Sequence, residues 1–390
     1  MKDKKTKIDH KNSSKDINKN RNKGLLFLLL VFLLISGFLV SSCSTISKWG
    51  IGKKSSEYKA FSTQFIGTFD TVIVVMGHMK SQNEFDEFAG LVEVRFRELH
   101  ELYDIYNNYE GVNNAKTIND RAGQEPVKIE SDLFSLLEFG KSWYYKSDGK
   151  INIAFGSVLS IWHNFRQRAN SASVDNALPK MEDLEAANEH VNHESLILDK
   201  DAMTAYISDP EASIDLGAIA KGYATELVCD EMEALGYDSF AISAGGNVKA
   251  IGEPKARDRN EWIIGIQNPE EPVLGGANDN LIDKVRVKDL SVVTSGWYQR
   301  YFISGGKYYH HIIDPSTLFP LYYSQSVTIV YPDSGISDAL STILMLMPYE
   351  EGMEYLKGYP DAMAYWVLQN GSVVMTDNIK DRLILDSGDE

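Results

Sequence analysis

Residues 213–227 read SIDLGAIAKGYATEL, a stretch in which small or flexible residues surround a single lysine. From Leu216 onward the apolar residues fall on one helical face and Gly236 is well placed as a C-terminal stop, so the pattern predicts a helix over residues 214–235. Asp215 occupies the position expected of the N-cap. Bulkier side chains would bury more area here, so the stretch indicates that something approaches the backbone closely.

Two glycines and the lysine of this stretch favour a ligand. Gly217 and Gly222 each cost about 1 kcal/mol relative to alanine inside a helix, so their presence in the first turns calls for a packing reason or a ligand. Free N–H groups at a helix start attract phosphate, and Lys221 would add a full positive charge. The alternative is a helix packed tightly on a sheet, with Lys221 in solvent.

The pattern around this helix predicts an α+β fold. The first half contains a strand over residues 65–77, FIGTFDTVIVVMG, and helices over residues 84–109 and 132–147. Short strands dominate the second half, interrupted by the helix above and by one over residues 336–347. Consecutive hairpins with inserted helices indicate mainly antiparallel sheets with packed helices, rather than a doubly wound parallel fold.

The N-terminal segment predicts a lipoprotein. Residues 1–24 carry eight lysines and one arginine against three aspartates, and an unbroken apolar run follows. Small residues then precede Cys43, as at a lipoprotein cleavage site. We expect a signal peptide over residues 1–42, lipidation of Cys43, a flexible tether over residues 43–62 and one domain over residues 63–390, held at the extracytoplasmic face of a cell membrane. A retained membrane-spanning helix is the alternative.

Composition narrows the classes of partner. The chain has 390 residues, of which 43% are hydrophobic and 24% charged, as in ordinary globular proteins. Removing the net +6 of residues 1–24 from the −16 of the whole chain leaves −22, a charge that repels nucleic acid. An anionic ligand therefore needs a local cation. With Cys43 lipidated, Cys229 is the only free thiol of the expected mature chain, so we expect no intramolecular disulfide and a small buried helix residue at that position.

Two glycine-containing motifs downstream are candidates for ligand contact. ISAGGNVKAIG places Gly245 and Gly246 at a strand bend, where a flat ligand or another backbone can come close, and a plain bulge fits equally well. VVTSGWYQRYF sets Thr294, Ser295 and Gly296 before an aromatic strand, in a small polar turn of the kind that contacts phosphate or ribose.

The segment GKYYHHIIDPSTLFP contains two adjacent histidines, His310 and His311. Their rings point to opposite faces of a strand, so they are unsuited to chelating one metal, and one of them is expected at the surface. An Asp-Pro turn follows.

The segment SDALSTILMLM offers Asp338 and Thr342 at i and i+4 on one helical face, with Ser341 beside them. Oxygen ligands alone suit magnesium or calcium rather than zinc or copper. The alternative is an ordinary helix start, in which Ser337 caps the helix and Asp338 interacts with its dipole.

Taken in order, these motifs resemble the FAD:protein FMN transferase family, also called ApbE, over about residues 63–378. The segments that carry the resemblance are IGTFDTV, DGKINIAFGSVLSIW, IDLGAIAKGYATE, SAGGNVKAIG, VVTSGWYQRYF, HIIDPSTLFP, SVTIVYP and SDALSTILML. It implies one large α+β domain related to the T-fold. It also implies an enzyme that binds FAD, uses Mg²⁺, moves FMN onto a threonine or serine hydroxyl of a target flavoprotein and releases AMP.

The resemblance implies roles for individual residues. The flavin or adenine neighbours would be Ile66, Tyr106, Lys150, Ile151 and Asn152. The nucleotide contacts would be Asp215, Lys221 and the backbone of Ile313. The metal ligands would be Asp338, Thr342, Ser341 and the main-chain carbonyl of Ala218. Lys221 would stabilise developing charge, and His311 would orient or deprotonate the incoming hydroxyl.

Two positions depart from the family's pattern. Thr317-Leu318 stands where Thr-Gly is usual, so a turn that often needs positive φ is expected to be built differently or strained. Ile151-Asn152 stands where a phenylalanine and an aspartate are usual, which removes a negative charge. Two alternatives therefore stay open: a membrane-tethered flavin-binding lipoprotein without transfer activity, and an FAD pyrophosphatase that gives FMN and AMP.

Overall fold

The computed structural model describes residues 57–171, 178–270 and 280–384. The predicted signal peptide, Cys43 and most of the predicted tether lie outside the described residues. The described residues belong to one compact unit, Ser56–Glu390. Its first strand begins at Lys59, so residues 59–62, predicted as tether, are part of the fold.

The bounds of the elements follow chain order. The strands are β1 (Lys59–Thr68), β2 (Thr71–Met79), β3 (Val127–Lys128), β4 (Leu196–Asp199), β5 (Thr204–Ile207), β6 (Ser239–Ala244), β7 (Asn247–Gly252), β8 (Trp262–Gln267), β9 (Leu281–Val287), β10 (Leu290–Gly296), β11 (Tyr301–Ser304), β12 (Lys307–His310), β13 (Ser324–Tyr331), β14 (Met363–Leu368) and β15 (Val373–Met375). The α-helices are α1 (Gln82–Tyr103), α2 (Ala115–Asp120), α3 (Ser131–Lys146), α4 (Gly156–Ser171), α5 (Met181–Asn188), α6 (Ala220–Ala234), α7 (Ser334–Met345), α8 (Tyr349–Tyr355) and α9 (Asp377–Lys380).

An eight-stranded sheet organises the fold, with strand order β1-β2-β6-β7-β10-β13-β14-β15. Every neighbouring pair in it is antiparallel, which confirms the predicted α+β class. The larger hydrophobic core joins helices α1, α6 and α7 to the sheet through residues such as Phe96, Val228 and Leu340. A second apolar cluster includes Trp262 and Val285 of the β8–β9 hairpin. Central strands are consequently buried along nearly their whole length, as β13 shows.

Two tight hairpin turns bring backbone to the same cavity. The stretch predicted as one strand over residues 65–77 is the β1–β2 hairpin, whose turn residues Phe69 and Asp70 both have φ of 51°. Gly245 and Gly246 form the corresponding turn between β6 and β7, with φ of 56° and 98°. Paired positive φ angles are the requirement of a type I′ turn, which matches the twist of the flanking strands. The predicted strand bend at these glycines is therefore a hairpin turn.

Helix α6 begins later than the sequence predicts. Its first residue is Ala220 and its N-cap is Ile219, so the prediction of Asp215 as N-cap is wrong. The Asp215 side chain instead accepts a hydrogen bond from the Gly217 N–H at 2.8 Å, which closes a local turn before the helix. The Asp215 side chain accepts a hydrogen bond from a backbone N–H, as an N-cap side chain does, but it does so within an Asx turn. The prediction that Cys229 is a buried helix residue is confirmed.

The close packing of α6 on α7 requires a glycine at position 222. A Cβ at this position would overlap the Asp338 Cβ and the Ser334 carbonyl oxygen of α7. The missing side chain therefore lets α6 and α7 approach closely, and the Gly222 N–H donates to Asp338 Oδ2 at 2.8 Å. Of the two reasons left open for these glycines, helix packing rather than room for a ligand holds for Gly222.

Two other predicted elements have different bounds. The first helix ends at Tyr103, and residues 104–109 form a loop that reaches the cavity. The apolar segment after Gly149 contains helix α4. The β11–β12 ribbon packs on α4 through Phe302, whose ring lies 6.2 Å from that of Trp162.

Within the described part of the chain, no helix is long and apolar enough to cross a membrane.

Candidate active site

A cavity of about 570 Å³ opens where the β1–β2 and β6–β7 turns meet helices α4, α6 and α7. Its walls come from sequence-distant segments: residues 69–71, 103–107, 150–153, 155, 215–218, 220–221, 245–246, 294–295, 298–300 and 311–313, residues of α4 that include His163 and Arg166, Asp338 and Thr342 of α7, and Leu346 directly after α7. The volume lies in the range of small-molecule and cofactor sites. Most of the residues predicted from sequence as ligand contacts converge here.

Lys221 and Asp338 meet in the wall of this cavity. Lys221 Nζ lies 3.7 Å from Asp338 Oδ2, although the two residues are more than a hundred positions apart. Asp338 is only 3% exposed. Burial raises the pKa of this carboxyl, while Lys221 and the Gly222 N–H act in the opposite direction by stabilising its charged form. The cavity thus presents a cation and a carboxylate side by side.

Hard oxygen donors surround this pair. Asp338, the Thr342 side chain and Ala218 all line the cavity, as the predicted metal set requires. Among the described residues, neither Asp338 Oδ1 nor the Thr342 hydroxyl has a hydrogen-bond partner, so both remain available as acceptors. A carboxylate, a hydroxyl and a main-chain carbonyl are donors that Mg²⁺ accepts, usually together with water and substrate oxygens. The residues present therefore fit this metal.

Ser341 is not brought into the cavity. It is fully buried, lies 2.8 Å from the Ser295 hydroxyl and donates to the Asp338 carbonyl at 3.0 Å. These contacts tie α7 to β10 beneath the cavity floor. Ser341 supports the segment that carries Asp338 rather than presenting its own oxygen to the cavity.

His311 lies on the cavity wall just after β12. Its Nδ1 is 3.2 Å from the Arg300 carbonyl oxygen, which the His311 backbone N–H also contacts at 3.0 Å. A carbonyl only accepts, so Nδ1 carries the proton and Nε2 is left as an acceptor. Burial lowers the pKa of His311, and the positive charges of Arg300, Arg166 and Lys221 lower it further. The imidazole is therefore neutral and able to take up a proton during a reaction.

His310 has a different environment from its neighbour. It is 2% exposed and its Nε2 lies 2.8 Å from the Leu321 carbonyl oxygen. Burial lowers its pKa to about 4, against a hydrogen bond to Leu321 that raises it. The expectation that one of the two histidines is at the surface is wrong, since His310 is buried and His311 lines the cavity.

Two arginines line the cavity. Arg166 of α4 and Arg300 before β11 also line an adjoining depression, together with Asp70, Gln299 and Tyr301. Arg300 donates to the Phe69 carbonyl at 3.2 Å and lies 4.0 Å from Asp70. Burial lowers the pKa of Arg166, and the charge of Arg300 adds to that effect. The sequence motifs contained Arg300 without marking it, and Arg166 follows the motif on α4.

The predicted ring neighbours divide into two groups. Tyr106, Lys150, Ile151 and Asn152 line the cavity, as does Ile313, which was predicted as a nucleotide contact. Asn152 Oδ1 accepts from the Ala154 N–H at 3.0 Å, which shapes the loop before α4. Ile66 lies on β1 outside the lining, with 55% of its surface exposed. The segment IGTFDTV contributes Phe69, Asp70 and Thr71 instead, because its hairpin turn, not its strand, faces the cavity.

Leu318 takes up the conformation that a glycine usually supplies in this turn. Its φ is 61°, in the left-handed region that costs a leucine strain. The turn is otherwise well bonded, since Asp314 Oδ1 accepts from the N–H groups of Ser316 and Thr317 at 3.0 and 2.9 Å. The Leu318 side chain packs with Phe155 and Trp162, and its carbonyl accepts from the Trp162 indole at 3.0 Å. Of the two alternatives left open for this turn, a different build or a strained one, the structure has the strained one.

The antiparallel fold and the cavity with its lysine, carboxylate and neutral histidine define the class of protein. Residues 67–366 match the ApbE family, and the chain belongs to that family. The family model covers every segment that lines the cavity.

Individual relatives agree with this assignment. The chain is 31% identical over 296 residues to the FAD:protein FMN transferase of Klebsiella pneumoniae, covering 74% of this chain and 87% of the relative. It is 32% identical over 283 residues to that of Treponema pallidum, covering 69% and 75%. The crystal structure of the ApbE protein from Thermotoga maritima superposes with a TM-score of 0.70 at 26% identity, covering 83% of this chain and 99% of that one.

Proposed function

We propose that this chain is a flavin transferase that moves the FMN part of FAD onto a hydroxyl of a protein acceptor and releases AMP. Family membership and the names of the similar proteins, FAD:protein FMN transferases, support the reaction class. The observation that carries the proposal is the meeting of Lys221, Asp338 and a neutral His311 in one cavity large enough for a nucleotide.

The bond changes assign a role to each of these residues. The acceptor oxygen forms a bond to the FMN-side phosphorus, and the bond from that phosphorus to the oxygen bridging to AMP breaks. His311 Nε2 accepts the hydroxyl proton, because Nδ1 is committed to the Arg300 carbonyl. Lys221 lies against the phosphates and offsets the negative charge that develops on them. AMP leaves as the anion and takes a proton from solvent according to pH.

We propose Mg²⁺ as the cofactor, held by Asp338, Thr342 and the Ala218 carbonyl. When bound it supplies Lewis-acid stabilisation of the charge on the phosphoryl oxygens. The buried Asp338 carboxylate selects a cation there, because among the described residues its charge is compensated only by Lys221 and the Gly222 N–H group. Asp215 closes the turn that presents Gly217 and Ala218 to the cavity.

We propose further that the mature protein is anchored by lipid at Cys43 on the extracytoplasmic side of a cell membrane, with FAD and a flavoprotein subunit carrying an acceptor threonine or serine as its partners. The basic and apolar N-terminal pattern supports this location. Mass spectrometry of the mature N-terminus would test it, and an unprocessed methionine terminus would refute it.

Incubation with FAD, Mg²⁺ and a candidate acceptor domain tests the function. We expect a covalent mass increase on the acceptor equal to FMN, flavin fluorescence that survives denaturation, and AMP release. An acceptor whose target threonine is changed to alanine is the control. Free FMN without acceptor modification would identify a pyrophosphatase, and unchanged FAD would identify a binding protein.

A further inference from the structure

Tyr106 lies in the cavity wall on a loop that a buried carboxylate holds. Asp104, 6% exposed, accepts through Oδ1 from the N–H groups of Tyr106 at 2.6 Å and Asn107 at 3.2 Å. Its Oδ2 accepts from the Tyr109 hydroxyl at 2.8 Å and the Asn107 side chain at 2.9 Å. The backbone from which the Tyr106 ring projects is therefore fixed independently of any ligand.

The ring itself is held by a histidine from a different element. His163 of α4 stacks on Tyr106 with centroids 4.6 Å apart and an interplanar angle of 25°. The Tyr106 hydroxyl lies 3.2 Å from His163 Nδ1. Tyr106 nevertheless keeps 47% of its surface exposed. A large ring held at its backbone, one face and its hydroxyl, while lining a cavity, offers its remaining surface to a planar ligand.

His163 is in turn fixed by its own helix. An Arg166 N–H group lies 3.0 Å from His163 Nδ1, and the Gln167 amide lies 2.7 Å from Nε2. Since arginine only donates, Nδ1 is an acceptor and takes hydrogen bonds from both Arg166 and the Tyr106 hydroxyl. Burial lowers the pKa of His163, and the charge of Arg166 lowers it further, which keeps Nδ1 unprotonated.

We propose that His163 is a positioning residue that sets the Tyr106 ring as a rigid wall against which one of the two planar rings of FAD stacks. This inference rests on the proposed function, because it takes FAD as the ligand. The physical advantage is that no side-chain freedom is lost at Tyr106 when FAD binds, since His163 and Asp104 have already removed it.

A double-mutant cycle tests this role in the full-length protein. Tyr106→Phe removes the hydroxyl and keeps the ring, and His163→Phe keeps a stacking ring and removes the acceptor nitrogen. We expect each change to raise the KM for FAD, and the Kd measured by quenching of flavin fluorescence, by about three- to tenfold, with kcat at saturating FAD within about twofold. The double variant should have the same KM and Kd for FAD as each single variant, because each single change already removes the same hydrogen bond between Tyr106 and His163.

Two controls separate positioning from a general structural effect. Tyr145 of α3 lies away from the cavity lining, and its hydroxyl is hydrogen-bonded to Glu194 at 2.7 Å. Tyr145→Phe removes that hydroxyl and should leave the KM and Kd for FAD unchanged. His163→Asn keeps an acceptor oxygen near the place of Nδ1 and should recover part of the loss. Thermal unfolding checks integrity, and if His163→Phe unfolds early, the single-atom change Tyr106→Phe decides.

The outcomes are distinct. Unchanged Kd in Tyr106→Phe, multiplicative effects in the double variant, or a loss confined to kcat would overturn the role of His163. If the unaltered protein binds FAD but transfers nothing, the transferase proposal fails while the Kd measurements still decide the role of His163. If it does not bind FAD, both proposals fall.

Discussion

At the scale of single residues, Asp338 combines two tasks that are usually separate. Its Oδ2 receives the Gly222 N–H and faces Lys221, so it joins two helices and also presents charge to the cavity. Its other oxygen remains available for a cation. The raised pKa of Asp338 reflects the cost of keeping that charge buried without one.

Replacing Asp338 by asparagine should separate these tasks. The amide oxygen can still accept from Gly222, whereas the negative charge is lost, so we expect the Mg²⁺-dependent rate of FMN transfer to fall about 10²–10³-fold with little change in folding. A magnesium titration of the transfer rate measures this. Asp377→Asn, on the exposed helix α9, is the matched control. Normal turnover of Asp338→Asn at limiting magnesium would refute the metal assignment.

Leu318 poses a conflict between strain and burial. A glycine there would relieve a left-handed backbone at a gain of about 1 kcal/mol, but it would remove a side chain that is 6% exposed and packs with Trp162. Loss of a buried leucine side chain costs about 2–5 kcal/mol, so burial should win.

We therefore predict that Leu318→Gly lowers the free energy of unfolding by about 1–4 kcal/mol, measured by urea denaturation. Leu318→Ala keeps the strain and loses most of the packing, and it should be less stable than Leu318→Gly. A glycine variant more stable than the unaltered protein would show that the strain outweighs the packing.

At the scale of elements, the contact of α6 with α7 controls the geometry of the site. Gly222 has no space for a Cβ between the two helices, whereas a Cβ at Gly90 of α1 would have no described atom within 4 Å apart from its chain neighbours and the backbone of its own helix. The two glycines have the same helical propensity cost but opposite tertiary surroundings.

Alanine at these two glycines should have effects of opposite sign. Gly90→Ala should raise the free energy of unfolding by about 0.5–1 kcal/mol with normal turnover. Gly222→Ala should lower it by about 1–3 kcal/mol and slow FMN transfer, because overpacking displaces Asp338 from Lys221. Chemical denaturation and transfer rates measure both. Equal stabilities of the two variants would contradict the close packing of α6 on α7.

The same contact explains what sequence could and could not predict. The helical period of residues 216–235 predicted the existence of α6, and the order of motifs predicted which segments contribute to the cavity. The sequence pattern did not predict that Asp215 accepts from Gly217 in a turn before the helix, since the same residue type also caps helices. It did not predict the hydrogen bond from the Gly222 N–H to Asp338 either, because those two residues are far apart in the chain. The position of Ile66 on β1, outside the cavity lining, likewise depends on where the hairpin turns, which a strand pattern does not reveal.

At the scale of the whole molecule, buried neutral histidines link folding to pH. His310 is the clearest case, because its pKa falls to about 4 in the fold from an ordinary value of 6.5. Between these values the unfolded chain binds more protons than the fold, so stability is present above pH 6.5 and declines as the pH falls towards 4. The raised pKa of Asp338 acts in the opposite direction, since protonation relieves its buried charge.

Comparison of variants isolates the contribution of His310. Between pH 7 and pH 4 the unaltered protein should lose about 3 kcal/mol through this residue, and His310→Gln should lose correspondingly less over the same range. Unfolding free energies at the two pH values measure the difference. His190→Gln, at a histidine whose pKa is raised by a hydrogen bond to Asp209, should retain the full acid loss. If the unfolding free energies of the unaltered protein and of His310→Gln fall in parallel as the pH is lowered, His310 is not a source of the acid destabilisation.

The hydrogen bond from the Gly222 N–H to Asp338 has a further consequence for how this family can vary. A relative that dispenses with the carboxylate leaves a backbone donor buried at the seam between two helices, and a relative that enlarges the glycine pushes the carboxylate aside. The residues at positions 222 and 338 should therefore covary in the family. A relative that has replaced one of them is expected to have replaced the other as well.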